Sequence, residues 1–97
     1  MVEHIVLFKW KTEATPEAIA QAVAGLRALK DQIPGIVDLS CGENFSERSQ
    51  GFVTGLVVRF TDKGALEVYG PHPAHQHVVQ NYINPIRADV IAVDYEL

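Results

Sequence analysis

Val2-Glu3-His4-Ile5-Val6-Leu7-Phe8-Lys9-Trp10-Lys11 is the stretch that decides the fold. Side chains alternate across a strand, so Val2, His4, Val6, Phe8 and Trp10 share one face, and Ile5 and Leu7 the other. Both faces are apolar at the centre, so a strand here needs a cover on each side. Helices packed on one side satisfy only one of them.

Downstream, Thr15-Pro16-Glu17 supplies an N-cap hydroxyl, a proline at the first helical position and an acid at the positive pole. Ile19, Val23, Leu26, Leu29 or Lys30, and Ile33 follow at helical spacing. They predict an amphipathic helix over residues 16–32, ended by Pro34-Gly35. Gly25 inside it costs about 1 kcal/mol of propensity and marks a close approach of another backbone. Residues 36–43 alternate again, with Val37, Leu39 and Cys41 opposed to Ile36, Asp38 and Ser40. The polar run Glu43 to Gln50 reads as an exposed, mobile loop.

A third strand is predicted over residues 51–61. Phe52, Thr54, Leu56, Val58 and Phe60 share one face, and Val53, Gly55, Val57 and Arg59 the other. Thr61 or Asp62 caps a short helix through Leu66 to Tyr69, which Gly70-Pro71 breaks. Pro73 starts another, carrying His75, Val78, Val79, Tyr82 and Ile83, and Pro85 ends or kinks it. The last run, Arg87 to Leu97, is strand-like around Val90-Ile91-Ala92-Val93.

The order is β-α-β-β-α-β, a ferredoxin-like α+β domain with an antiparallel sheet, spanning residues 1–97 as one unit. Its far face carries Ile5, Leu7, Val53, Val57, Ile91 and Val93, too much apolar surface to leave in water. A homodimer joined sheet to sheet covers it, and a symmetric pair is the commonest solution.

Composition narrows the partners. The chain is 47% apolar and 21% charged, the balance of a soluble globular domain. A net charge of −4 with no basic stripe excludes nucleic acid. Cys41 is alone, so it builds no intramolecular disulfide; it fits a reducing, cytoplasmic setting and reads as a small buried residue. Glu3 and His4 interrupt any signal-peptide pattern at the start, and no apolar run reaches membrane-spanning length. The expectation is a cytoplasmic protein with no membrane partner.

Chemistry concentrates in Tyr69-Gly70-Pro71-His72-Pro73-Ala74-His75-Gln76-His77. His75 falls in the first turn of the helix that Pro73 begins. The positive helix end there disfavours imidazolium and keeps the ring able to accept a proton. A neutral histidine beside the Tyr69 phenol can take a proton next to a carbonyl and stabilise the enolate oxygen. His4 shares the Val6–Phe8 face of the first strand. The structural alternative is equally simple: His72 caps the helix, Tyr69 is core and His75 fills a polar gap. His77 points about 200° around the helix from His75, toward solvent. Zinc is disfavoured because His75 and His77 diverge and a tetrahedral site needs three or four convergent ligands. No phosphate-cradling loop, nucleophile elbow or dinucleotide fingerprint is present.

Five segments in order carry a resemblance: His4-Ile5-Val6-Leu7-Phe8-Lys9-Trp10; Ile33-Pro34-Gly35; Gly42-Glu43-Asn44 with Gly51-Phe52; Tyr69-x-x-His72-Pro73-x-His75; and Asp94-Tyr95. Together they resemble the stress-responsive A/B barrel domain family almost end to end. The resemblance implies a dimeric α+β barrel of ferredoxin-like subunits. It implies no single function, since the family holds proteins of unassigned activity, plant stress and antimicrobial proteins, and a plant polyketide cyclase working by an aldol reaction.

The cyclase's tyrosine and histidine fall at Tyr69 and His75, and its strand histidine at His4. A pocket tyrosine falls at Leu26 and a second strand histidine at Thr54, so the cyclase's own substrate does not carry over. What the resemblance implies is a small hydrophobic pocket per subunit among Val6, Phe8, Leu26, Thr54, Leu56 and Val58. It would bind a carbonyl or polyketide-like compound, with His75, Tyr69 and His4 as catalytic candidates in cyclase- or isomerase-like chemistry and no required cofactor. Relatives also imply a structural magnesium on the backbone carbonyls of Lys30, Ile33 and Ile36. Two readings stand beside the enzyme: a non-enzymatic stress-response structural or ligand-binding protein, and a cofactor-free monooxygenase, which Trp10 on the His4 face encourages.

Overall fold

In the computed structural model, which describes residues 1–97, four strands form one antiparallel sheet. They are β1 (Val2–Trp10), β2 (Ile36–Glu43), β3 (Thr54–Phe60) and β4 (Arg87–Glu96), in the order β2-β3-β1-β4. Three helices, α1 (Pro16–Ala28), α2 (Lys63–Tyr69) and α3 (Pro73–Val78), pack on one side of it. The ferredoxin-like expectation holds.

Each helix starts where a side chain can hold a free N–H. Thr15 Oγ1 accepts from Ala18 N at 3.1 Å, and Asp62, rather than Thr61, accepts from Ala65 N at 2.8 Å. The helix expected over 16–32 is α-helical only to Ala28, then tightens into a 3-10 turn at Leu29–Asp31. Gly35 sits at φ +89°, and a Cβ there would lie 2.7 Å from Ala65 Cβ, so both backbone and space require glycine. A Cβ on Gly25 would meet Val78 and Tyr82 at 3.3 and 3.4 Å. The close approach expected there is to side chains of α3 and the turn that follows it, not to backbone.

The covered face is a dry core. Val2, Val6, Phe8 and Trp10 from β1 meet Leu56, Val58 and Phe60 from β3, under Ala22, Leu26 and Leu29. Trp10 stacks on Phe8 with ring centroids 5.1 Å apart, and its Nε1 donates to Thr54 Oγ1 at 2.9 Å. That bond explains a threonine in the core, and it makes Trp10 a packing residue. Arg27 ties α1 to β2 by donating to the Cys41 carbonyl at 2.7 and 3.0 Å.

Three local expectations change. A bulge between Ile36 and Asp38 puts Ile36, not Val37, on the core side with Leu39 and Cys41, and leaves Val37 exposed. β3 begins at Thr54, so Val53 lies before the strand, in a hollow shared with Ile19 and Val23, not on the far face. The loop expected to be mobile is pinned at its base: Asn44 donates from Nδ2 to the Phe52 carbonyl at 2.7 Å and from its backbone to Val53 at 2.8 Å.

No element of the chain covers the other face. Ile5 pairs with Val57 on one side and Val93 on the other, and Leu7 with Ile91, forming one apolar stripe. Ile91 and Val93 are 51% and 49% exposed. A two-pronged Glu3–Arg59 pair at 2.9 and 3.2 Å flanks the stripe. That hydrogen bonding holds the Glu3 carboxyl below its ordinary value and Arg59 above its own. No helix is long and apolar enough to cross a membrane.

Candidate functional site

The break between α2 and α3 builds the site. An unbroken helix would send the Ala74 N–H to the Gly70 carbonyl. Here Ala74 N instead donates to His72 Nδ1 at 3.1 Å, which makes His72 the N-cap of α3. The released Gly70 carbonyl accepts from Gln76 Nε2 at 2.8 Å and from His75 Nδ1 at 2.8 Å. With Nδ1 carrying the proton, Nε2 is the His75 nitrogen able to accept one.

Tyr69 ends α2 and lies between two histidines. Its ring centroid is 4.3 Å from that of His75 and 5.8 Å from that of His4, with Phe60 at 5.1 Å. Tyr69 is 2% exposed, and its hydroxyl finds no hydrogen-bond partner in the protein. His4 is held from across the sheet: its Nδ1 contacts the carboxylate of Asp94, its neighbour in the β1–β4 register.

These three rings border a cavity of about 230 Å³ between sheet and helices. Val6, Phe8, Leu26 and Leu56 line it; Thr54 and Val58 do not, being committed to Trp10 and to the packed core. Val79 and Ile83 join it from the helical side. They sit on a π turn over Val79–Ile83, closed by Asn84 N to Val79 O at 2.8 Å just before Pro85. β4 adds Val90, Ala92 and Arg87. Larger depressions, about 400 Å³ beside α2 and β4 and about 460 Å³ by Gly42 and Gly55, lie on the surface and hold no histidine.

Electrostatics assigns the protons. Burial is the main cause that lowers His75 below the ordinary imidazole value, aided by His4 and His72 and opposed by its bond to Gly70. Burial thus acts in the same direction as the positive end of α3, which is only six residues long. Burial, and secondarily Cys41, pushes the Tyr69 phenol far upward, so it stays protonated and keeps a hydrogen to donate. Burial also raises the Cys41 thiol, which lacks a base.

The remaining candidates disperse. His77 is exposed and engages Asn81, so the three histidines of the segment have three separate partners. Lys30, Ile33 and Ile36 lie on the connection from α1 to β2, outside the cavity.

Asp94 and Arg87 were not singled out as site residues from sequence. Asp94 stands in the Asp94-Tyr95 motif, but its role is a contact 90 residues away. No periodic signal marks Arg87.

Fold and cavity define the class: a ferredoxin-like α+β domain with a histidine–tyrosine pocket beneath its helices and one uncovered sheet face. The chain belongs to the stress responsive A/B barrel domain family, whose sequence model matches residues 2–97. It is 35% identical over 97 residues to a stress-response A/B barrel domain-containing protein of Arabidopsis thaliana, covering 98% of this chain and 36% of that protein. The chain thus spans about a third of that relative's length. It is 34% identical over 79 residues to an uncharacterized protein of Streptomyces coelicolor, covering 78% of this chain and 80% of that protein.

Among solved structures, a dimeric ferredoxin-like protein of unknown function from Thermobifida fusca superposes with a TM-score of 0.87 at 26% identity, over 99% of this chain and 90% of that one. Another, from Jannaschia sp. CCS1, reaches 0.78 at 32% identity, over 99% and 98%.

Proposed function

We propose that this protein is a homodimeric, cofactor-independent acid–base enzyme acting on a small, mostly apolar carbonyl compound. The observation that carries this reading is the buried hydroxyl, without a protein partner, of Tyr69, a residue that lines an apolar cavity beside His75. A buried hydroxyl left unpaired costs about 1–3 kcal/mol. A ligand carbonyl would complete it.

The chemistry follows from the two protonation states. His75 Nε2 takes the proton from the carbon next to the carbonyl, the C–H electron pair becomes the new C=C bond, and the carbonyl π pair moves onto oxygen. The Tyr69 hydroxyl donates to that oxygen as its charge develops. The enolate then takes a proton back at another carbon, an isomerisation, or attacks a second carbonyl, an aldol closure. His4, oriented by Asp94, lines the same space as a second polar contact. The uncovered stripe of Ile5, Leu7, Val57, Ile91 and Val93 is the seam between two copies, in keeping with dimeric relatives of the same fold.

The test is deuterium exchange at the carbon next to the carbonyl, followed by NMR across a panel of ketones and polyketide-like compounds in D2O. His75→Ala should abolish protein-dependent exchange and Tyr69→Phe should slow it about 100-fold or more. The pH profile carries a sign. Burial holds His75 below 6.5, so it stays an unprotonated base as pH falls through 6.5, and exchange declines only lower. Equal exchange by wild type and His75→Ala, or none by either, would remove the case for this base.

A further inference from the structure

Arg87 lines the cavity and is its one fixed cation, with no acidic side chain among the lining residues. It makes no ion pair and no side-chain hydrogen bond. Its position is a consequence of irregular backbone. Strict alternation along β4 would place residue 87 with Asp89, Ile91 and Val93 on the uncovered face. The register shifts between Lys9 and Trp10, so that Lys9 pairs with Asp89 but Trp10 pairs with Arg87. The extra residue, Ala88, turns Arg87 to the Trp10 side of the sheet. Bulges re-aim side chains in this way beside binding sites.

The cavity therefore has two polar ends. Tyr69, His75 and His4 stand at one, and the register sets Arg87 at the other, six residues along β1 from His4. At roughly 3.3 Å per residue that is about 20 Å between backbones, less the reach of both side chains. Between them the lining is apolar: Val6, Phe8, Leu56, Val90 and Ala92. The volume of about 230 Å³ is that of roughly eight waters at about 30 Å³ each. This is room for one short chain or a single ring.

We propose that the ligand is an oxo acid, with its carboxylate on Arg87 and its carbonyl toward Tyr69 and His75. The inference rests on the carbonyl-site reading above and adds the anionic end. A guanidinium binds a carboxylate through paired N–H donors, and at a partly apolar rim that attraction outlasts screening. A neutral ketone satisfies Tyr69 alone; an oxo acid satisfies both ends.

Calorimetric titration of the full chain with 8-oxononanoate and with its methyl ester tests this. Wild type should bind the acid about tenfold more tightly than the ester. Arg87→Met should bring that ratio to about one, and Arg87→Glu below one; Arg87 is exposed, so neither change disturbs the core. A wild-type ratio of one, or an unchanged ratio in Arg87→Met, overturns the proposal even should a variant misfold and leave only the wild-type comparison. Ester binding without acid preference overturns this inference and spares the carbonyl site. Binding of neither compound overturns both.

Discussion

The two faces of one sheet use the same four strands and reach opposite solutions. On the covered face Val58 and Phe60 are fully buried, the Thr54 hydroxyl has a partner in Trp10, and one cavity is left beside Tyr69. On the other, Ile91, Val93 and Tyr95 are about half exposed and no element of the chain crosses them. The first face is completed by the chain's own helices, and no element of residues 1–97 completes the second. In the proposed homodimer, burying that second face is intermolecular and depends on concentration; packing the first is intramolecular and does not.

Three substitutions would break or sharpen the contrast. Phe60→Ala should have the largest effect. It truncates a fully buried ring and should cost about 3–5 kcal/mol in denaturant unfolding. A loss below about 1 kcal/mol would mean the covered face is not a packed core. Val93→Asp on the open face should leave the subunit folded but weaken self-association about 100-fold, about 2.8 kcal/mol. Light scattering at micromolar concentration reads this directly, and an undiminished dimer would place the seam elsewhere.

Tyr69→Phe should have the smallest effect and the opposite sign. Removing a buried hydroxyl with no protein partner should stabilise by about 1 kcal/mol, raising the melting temperature by about 4–8 °C. The same variant should lose the proposed exchange activity, a trade of stability against chemistry. A lower melting temperature would show that the hydroxyl has a partner in the free protein.

Much of the fold was legible in the chain itself. The alternation in Val2–Trp10 separated two apolar faces, and the Thr15-Pro16 and Pro73 signals marked two helix starts. Those inferences work because they depend on near neighbours and on a fixed period. The same reasoning singled out His75, Tyr69 and His4, which border one cavity. It failed where the period breaks. The bulge after Ile36 exchanged Ile36 for Val37, and the bulge at Ala88 carried Arg87 to the cavity side unnoticed. For His75 it named only the helix dipole, and burial lowers the ring in the same direction.

By itself, then, the sequence determined the order of elements, the caps and the two-sidedness of the sheet, all local consequences of residue type and spacing. Helical spacing already turned His77 away from His75 and offered His72 as a cap; only the tertiary structure decided what His75 meets. His72 caps, His77 faces solvent, and His75 shares Tyr69 with His4, which lies 71 positions away and is held by Asp94. Burial and register are properties of the assembled chain. They set which nitrogen is free, which hydroxyl is unpaired and which cation faces the cavity.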